Sequence, residues 1–147
     1  MRNLSGTVQD RSDKVIMLQM EIYEEFAGWL DNLLENNEMP ESTAAFCFNL
    51  YEESDEDCIY AVQLIAADRF DADDNDWPCD EVWSSEEDIF CIDISDEEEK
   101  DWKGAMERFK EMAVHYLEAG KYRNVLAQAK AVGMGFVDGE LEIIFKP

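Results

Sequence analysis

The sequence predicts an α+β domain, an antiparallel sheet of about five strands with helices packed on one face. Two segments carry apolar residues at spacings of three and four, the mark of helices buried along one side. Other short runs are rich in aromatic and β-branched residues and are bounded by polar turns, as strands are. The order helix, strand, strand, acidic loop, strand, helix, helix, strand, strand offers more hairpins than crossovers, which favours antiparallel pairing.

Residues 1–14 are polar without period and read as a loose tail, leaving 15–147 as one domain. From about 15 to 35, Met20, Tyr23, Ala27, Leu30 and Leu34 share a stripe that Phe26, Trp29 and Leu33 widen, and Asn36, Asn37 and Pro40 end the helix. Segments 44–51 and 58–67 are mostly apolar and flank the acidic turn Glu52 to Asp57, which predicts a hairpin. Residues 68–85 read as irregular and acidic, and 88–94 as a third strand. Ser95 with Glu98 forms a capping-box pattern, and Asp96 to Glu99 suit a first helical turn, so a helix is expected over 97–119. Its buried stripe is Trp102, Met106, Phe109, Ala113, Tyr116 and Leu117, and Gly120 closes it. A further helical stretch spans 121–131. Strands at 132–137 and 141–145 flank Asp138-Gly139, a tight-turn signal. The core is expected to include Leu30, Phe48, Leu64, Ile92, Phe109 and Ile143.

With 147 residues, 46% of them hydrophobic and 12% aromatic, the chain can bury a sizeable core without disulfides or metal. It carries 36 Asp plus Glu against 12 Lys plus Arg, a net charge of -24. The excess is local: residues 1–99 hold 29 acids and four bases, and residues 100–147 hold seven acids and eight bases. Such a surface repels phosphate backbones and anionic lipid, so neither nucleic acid nor a membrane is an expected partner. With no apolar span or leader pattern in view, a cytoplasmic location is expected. Cys47, Cys58, Cys79 and Cys91 lack the paired spacing of zinc sites and read as reduced thiols. No cofactor is expected, and the oligomeric state is left open.

Catalytic material is thin, and no enzymatic activity is expected. His115, the one histidine, lies mid-helix and suits a structural role, while Cys79 has acids on its C-terminal side and makes a poor nucleophile. Gly133-Met134-Gly135 is too short for a phosphate loop and falls in a predicted strand. Asp71, Asp73 and Asn75 match the first ligands of a calcium loop. The match then fails, because the turn glycine is replaced by Asp76 and the bidentate glutamate by Val82. Phe70, Trp77 and Trp83 interrupt the acids of this loop. Either the tryptophans turn inward and pin the loop, or one stands exposed as a binding anchor.

The stretch Phe70 to Trp83, which contains Asp76-Trp77-Pro78-Cys79-Asp80-Glu81-Val82-Trp83, resembles small acidic bacterial proteins. So does Gly135-Phe136-Val137-Asp138-Gly139-Glu140-Leu141. These proteins serve as immunity partners of polymorphic or contact-dependent toxins. The resemblance implies a cytoplasmic protein that neutralises one toxin domain, but it transfers no binding residues, because the contact surface differs among such families. The second patch also reads simply as a hairpin turn. Charge density alone nominates Asp71, Asp73, Asp74, Asp76, Asp80 and Glu81 as partner contacts, Glu53, Asp55 and Glu56 as a second group, and Trp77 as the aromatic anchor. The expected function is non-catalytic binding of a basic protein. The alternatives are a carboxylate-rich hydrolase or divalent-ion-binding protein, and a nucleic-acid mimic.

Overall fold

The two apolar runs form the centre of a six-stranded sheet in the computed structural model, which describes residues 3–54, 59–94, 101–137 and 139–146. β1 (Ala45–Ser54) pairs antiparallel with β2 (Ile59–Ala67), setting Phe48 opposite Leu64 and Leu50 opposite Val62. On the far edge of β2 lie β3 (Glu81–Ser84), beside Ile65 to Ala67, and β4 (Phe90–Asp93), beside Ile59 to Val62. β5 (Ala131–Phe136) runs parallel to β1, with Met134 opposite Phe48, and β6 (Glu142–Phe145) closes the other edge antiparallel to β5.

The class is α+β, but the sheet is mixed, where a wholly antiparallel one was expected. The predicted hairpin of β5 and β6 forms. What periodicity does not carry is the neighbour on β5's other side, which is β1, running the same way. Near-continuous burial marks the strands that are covered on both faces: Ala45 to Phe48, Val62 with Leu64 to Ala67, and Ala131 to Gly135. β3 adds the sixth strand within the stretch expected to be irregular. It is a four-residue edge strand whose Glu81 and Val82 stay exposed, so it lacks an apolar signal.

All three helices pack on one face. α1 (Asn3–Asn36) brings Phe26, Leu30 and Leu33, α2 (Trp102–Ala119) brings Phe109, Met112 and Tyr116, and α3 (Arg123–Ala127) brings Leu126. They cover Phe46, Phe48, Leu50, Val62, Leu64 and Val132 of the sheet. α1 starts at Asn3, so the expected loose tail lies inside the helix. No proline interrupts that segment, and once the packed part is helical each further residue costs only propagation. α2 is capped by Asp101, which accepts from the backbone N–H of Lys103 (3.1 Å) and of Gly104 (3.4 Å). The predicted Ser95–Glu98 box and the first residues of the predicted helix lie outside the described residues. α3 is shorter than the predicted 121–131, because Lys130 N–H already bonds Ala44 C=O at 2.7 Å and Ala131 has entered β5.

Of the six expected core residues, five are buried, and Ile143 is half-buried on the opposite face. Tyr116 ties the helices together. Its hydroxyl donates to Asp31 of α1 at 2.6 Å and accepts from Tyr122 N–H at 3.1 Å, and burial together with the Asp31 bond raises its pKa above the ordinary tyrosine value. The α2–α3 turn passes so close that a Cβ on Gly120 would sit 2.6 Å from the Tyr116 ring. Truncating Leu30, Phe48 or Phe109 to Ala is expected to cost about 2–5 kcal/mol, and Tyr116→Phe about 1–3 kcal/mol by leaving Tyr122 N–H without its acceptor. The readout is the midpoint of urea unfolding.

Candidate functional site

Beyond Ala67 the chain folds back under the sheet face that carries no helix. That face is floored by small side chains, Ala45, Cys47, Ala67 and Ala131, with Gly133 among them and Ile65 at the side. Into this space goes Trp77, which is fully buried and has the Phe70 ring edge-on at 5.5 Å and Leu141 and Ile143 alongside. Gly133 makes the room: a Cβ there would lie 3.0 Å from Cζ2 of the indole and 3.2 Å from Leu141. Trp77 opens a single 3-10 turn, Trp77–Cys79, which Pro78 favours by fixing its own φ. Asp68 N–H to Asp80 C=O, at 3.2 Å, closes the loop at its neck.

The polar half of the loop is braced as well. Arg69 pairs with Asp74 at 2.9 Å and with Asp80. Asp71 accepts from Asp73 N–H and Asp74 from Asp76 N–H, both at 2.9 Å, forming two Asx turns. The Asp76 N–H, followed by Arg69, holds the Asp74 carboxyl below the usual carboxylate range. Asp71, Asp73, Asp76, Asp80 and Glu81 are exposed, Asp74 is half-buried, and Phe70 and Trp83 are half-buried. Ten acids and a single cation, Arg69, occur between residues 68 and 88.

Two sequence expectations change. Trp77 takes the inward position of the two left open, so it anchors the loop to the sheet and offers no ring to a partner. Glu53 is exposed at the end of β1, at the opposite end of β2 from the loop, and the nine residues of β2 separate them by about 26 Å at the usual strand rise. Glu53 and the acidic loop therefore do not form one surface. Asp55 and Glu56 lie outside the described residues. In the calcium-like stretch Asp71 is committed to a local turn, and among the described residues no three His, Cys, Asp or Glu side chains converge on a metal position. His115 is exposed on α2, with Tyr23 edge-on at 4.3 Å. Burial pushes the Cys47 thiol up to about 12, while Cys79 and Cys91 are exposed.

Sequence reasoning missed a groove of about 870 Å³ at the other end of the sheet, lined by Tyr51, Trp102, Met106, Phe136, Val137 and Leu141. It forms where β5 ends opposite Leu50 while β1 runs on to Ser54, with Val137 N–H bonded to Leu50 C=O at 3.1 Å, beneath the start of α2. Trp102 reads as part of the buried stripe, yet at the first residue of α2 it is 51% exposed, with its ring edge-on to Phe136 at the end of β5.

No model of a protein family, no curated protein and no solved structure matches the chain.

Trp77→Ala is expected to cost about 3–5 kcal/mol, and Gly133→Val about 1–3 kcal/mol by filling the space under the indole; both are read from urea unfolding midpoints. Because the Asp74 carboxyl is held below its unfolded value of about 3.9, its contribution is present above that pH and is lost as pH falls through the lower folded value. The Asp76 amide resonance should titrate below the ordinary aspartate range, and a midpoint at or above that range would contradict the bond.

Proposed function

We propose that this chain is a non-catalytic binding protein that covers a basic surface of a protein partner, in the manner of an immunity protein neutralising a bacterial toxin. The observation that supports it is the acidic loop. Trp77 and Arg69 hold it in one conformation while Asp71, Asp73, Asp76 and Glu81 remain in water. Like charges held this close repel one another in the free protein, and an opposing cluster of Lys and Arg relieves that repulsion on contact. A preformed loop also avoids the entropy cost of ordering a flexible acidic segment at the moment of binding. Complementary potential speeds encounter towards roughly 10⁸ M⁻¹s⁻¹ at low salt, which suits an inhibitor that must reach its target early. Occlusion needs no nucleophile, base or metal of its own. The exposed thiols of Cys79 and Cys91 fit a reducing, cytoplasmic setting.

The test uses the basic protein that co-purifies at low salt and elutes at high salt. Its association rate is measured by stopped flow against the native chain and against a variant carrying Asp71→Asn, Asp73→Asn, Asp76→Asn and Glu81→Gln. Asn preserves the Asx turn at Asp71, so the loop keeps its shape. Association of the variant should be slower by about tenfold or more at low salt and should depend less on salt. Unchanged rates would remove the loop from the interface. A folded His115→Gln protein should bind as the native chain does, and loss of all activity in that variant would favour an enzyme instead.

A further inference from the structure

The groove at the end of β5, beside Tyr51 and Glu52 of β1, pairs an apolar floor with an acidic rim. Among the described residues four large apolar side chains are strongly exposed, and two of them, Trp102 at 51% and Val137 at 61%, line this groove. Phe136 and Met106 continue the floor, with Phe136 meeting the Trp102 ring edge-on at 6.2 Å. Exposed aromatic and aliphatic area gathered in one concave place marks a binding surface more often than scattered apolar residues do. The charged side chains lining it are Glu52, Glu140 and Glu142, with no cation among the described lining residues. The groove's surroundings already hold cations in two ways. Lys110 pairs with Glu142, and the Lys103 ammonium stands 5.7 Å from the centroid of the Trp102 ring.

We infer that this groove takes an arginine side chain carried on an extended, apolar-flanked segment of the partner. This deepens the reading of the chain as a binder of a basic protein and rests on it. A guanidinium suits the site because its flat face stacks on an indole while its edge forks onto a carboxylate, and it sheds water more readily than an ammonium. Arginine and aromatic residues are also the types enriched where interfaces are fully buried. A volume of about 870 Å³ exceeds what one side chain fills and fits a short stretch of chain with apolar neighbours covering Val137 and Met106. The groove also adjoins the acidic loop's anchor, since Leu141 both lines it and packs in the Trp77 cluster. One basic partner can therefore be steered by the loop and seated in the groove.

The test titrates the full chain, observed by ¹⁵N–¹H NMR, with a tripeptide of arginine between two leucines, capped at both ends. The comparison peptide carries citrulline, which has nearly the shape of arginine without its charge. The Trp102 indole N–H, identified by its absence in Trp102→Phe, and the Gly139 and Glu140 amides should shift with the arginine peptide. Citrulline should bind at least about tenfold more weakly, and Trp102→Ala and Glu140→Gln should each weaken arginine binding about fivefold or more. Equal binding of both peptides, shifts confined to the acidic loop, or no shift up to about 5 mM peptide would each overturn the inference. The two readings fail separately. If loop neutralisation slows partner association while the peptide never enters the groove, only the groove reading is lost. If the peptide seats as expected while loop neutralisation leaves association unchanged, the loop reading is lost.

Discussion

The indole of Trp77, buried against Gly133 on the helix-free face of the sheet, holds in place a loop that carries six acids between residues 68 and 80. Left to its charge, such a segment would extend into water, because the acids repel one another and few side chains in it seek burial. The sheet supplies the opposing force. Its central strands are apolar on both faces, the helices cover only one, and the second face needs a lid. Trp77, Phe70, Leu141 and Ile143 are that lid, and the acids are carried with it to the surface. Arg69 adds a brace between Asp74 and Asp80, but exposed pairs of this kind contribute little by themselves.

The parallel placement of β5 beside β1 is what makes this lid possible. Gly133 stands opposite Cys47 in that pairing, and Ala45 opposite Ala131, so a floor of small residues forms across two strands that are far apart in sequence. The same pairing sets the end of β5 beside Leu50 of β1 under the start of α2 and so creates the groove at the far end. Loop and groove thus depend on one topological choice, and Leu141 touches both.

The helical stripe of α2 and the hairpin of β1 with β2 were legible in the sequence, since spacings of three and four and an acidic break between two apolar runs are local signals. The neighbour of β5 was not, because nothing within residues 131–136 says which other strand lies beside them. Nor was the direction of Trp77. A trace of it does exist in Gly133, a glycine inside a predicted strand, which marks a close approach to the backbone. The groove was hidden for a different reason. Periodicity assigns Trp102 to a helix face but cannot tell that the first residue of α2 stays half exposed.

Native-state hydrogen exchange on the loop amides addresses most directly whether the acids are presented by a fixed surface. Cys79 N–H bonds Asp76 C=O at 2.9 Å, Asp80 N–H bonds Trp77 C=O at 3.1 Å and Asp68 N–H bonds Asp80 C=O at 3.2 Å. If burial of Trp77 holds the loop to the sheet, these amides should exchange nearly as slowly as those of β2, opening only when the sheet face itself opens. Exchange of all three at the rates of an unstructured peptide, while β2 stays protected, would contradict a pinned loop and with it a preformed acidic surface.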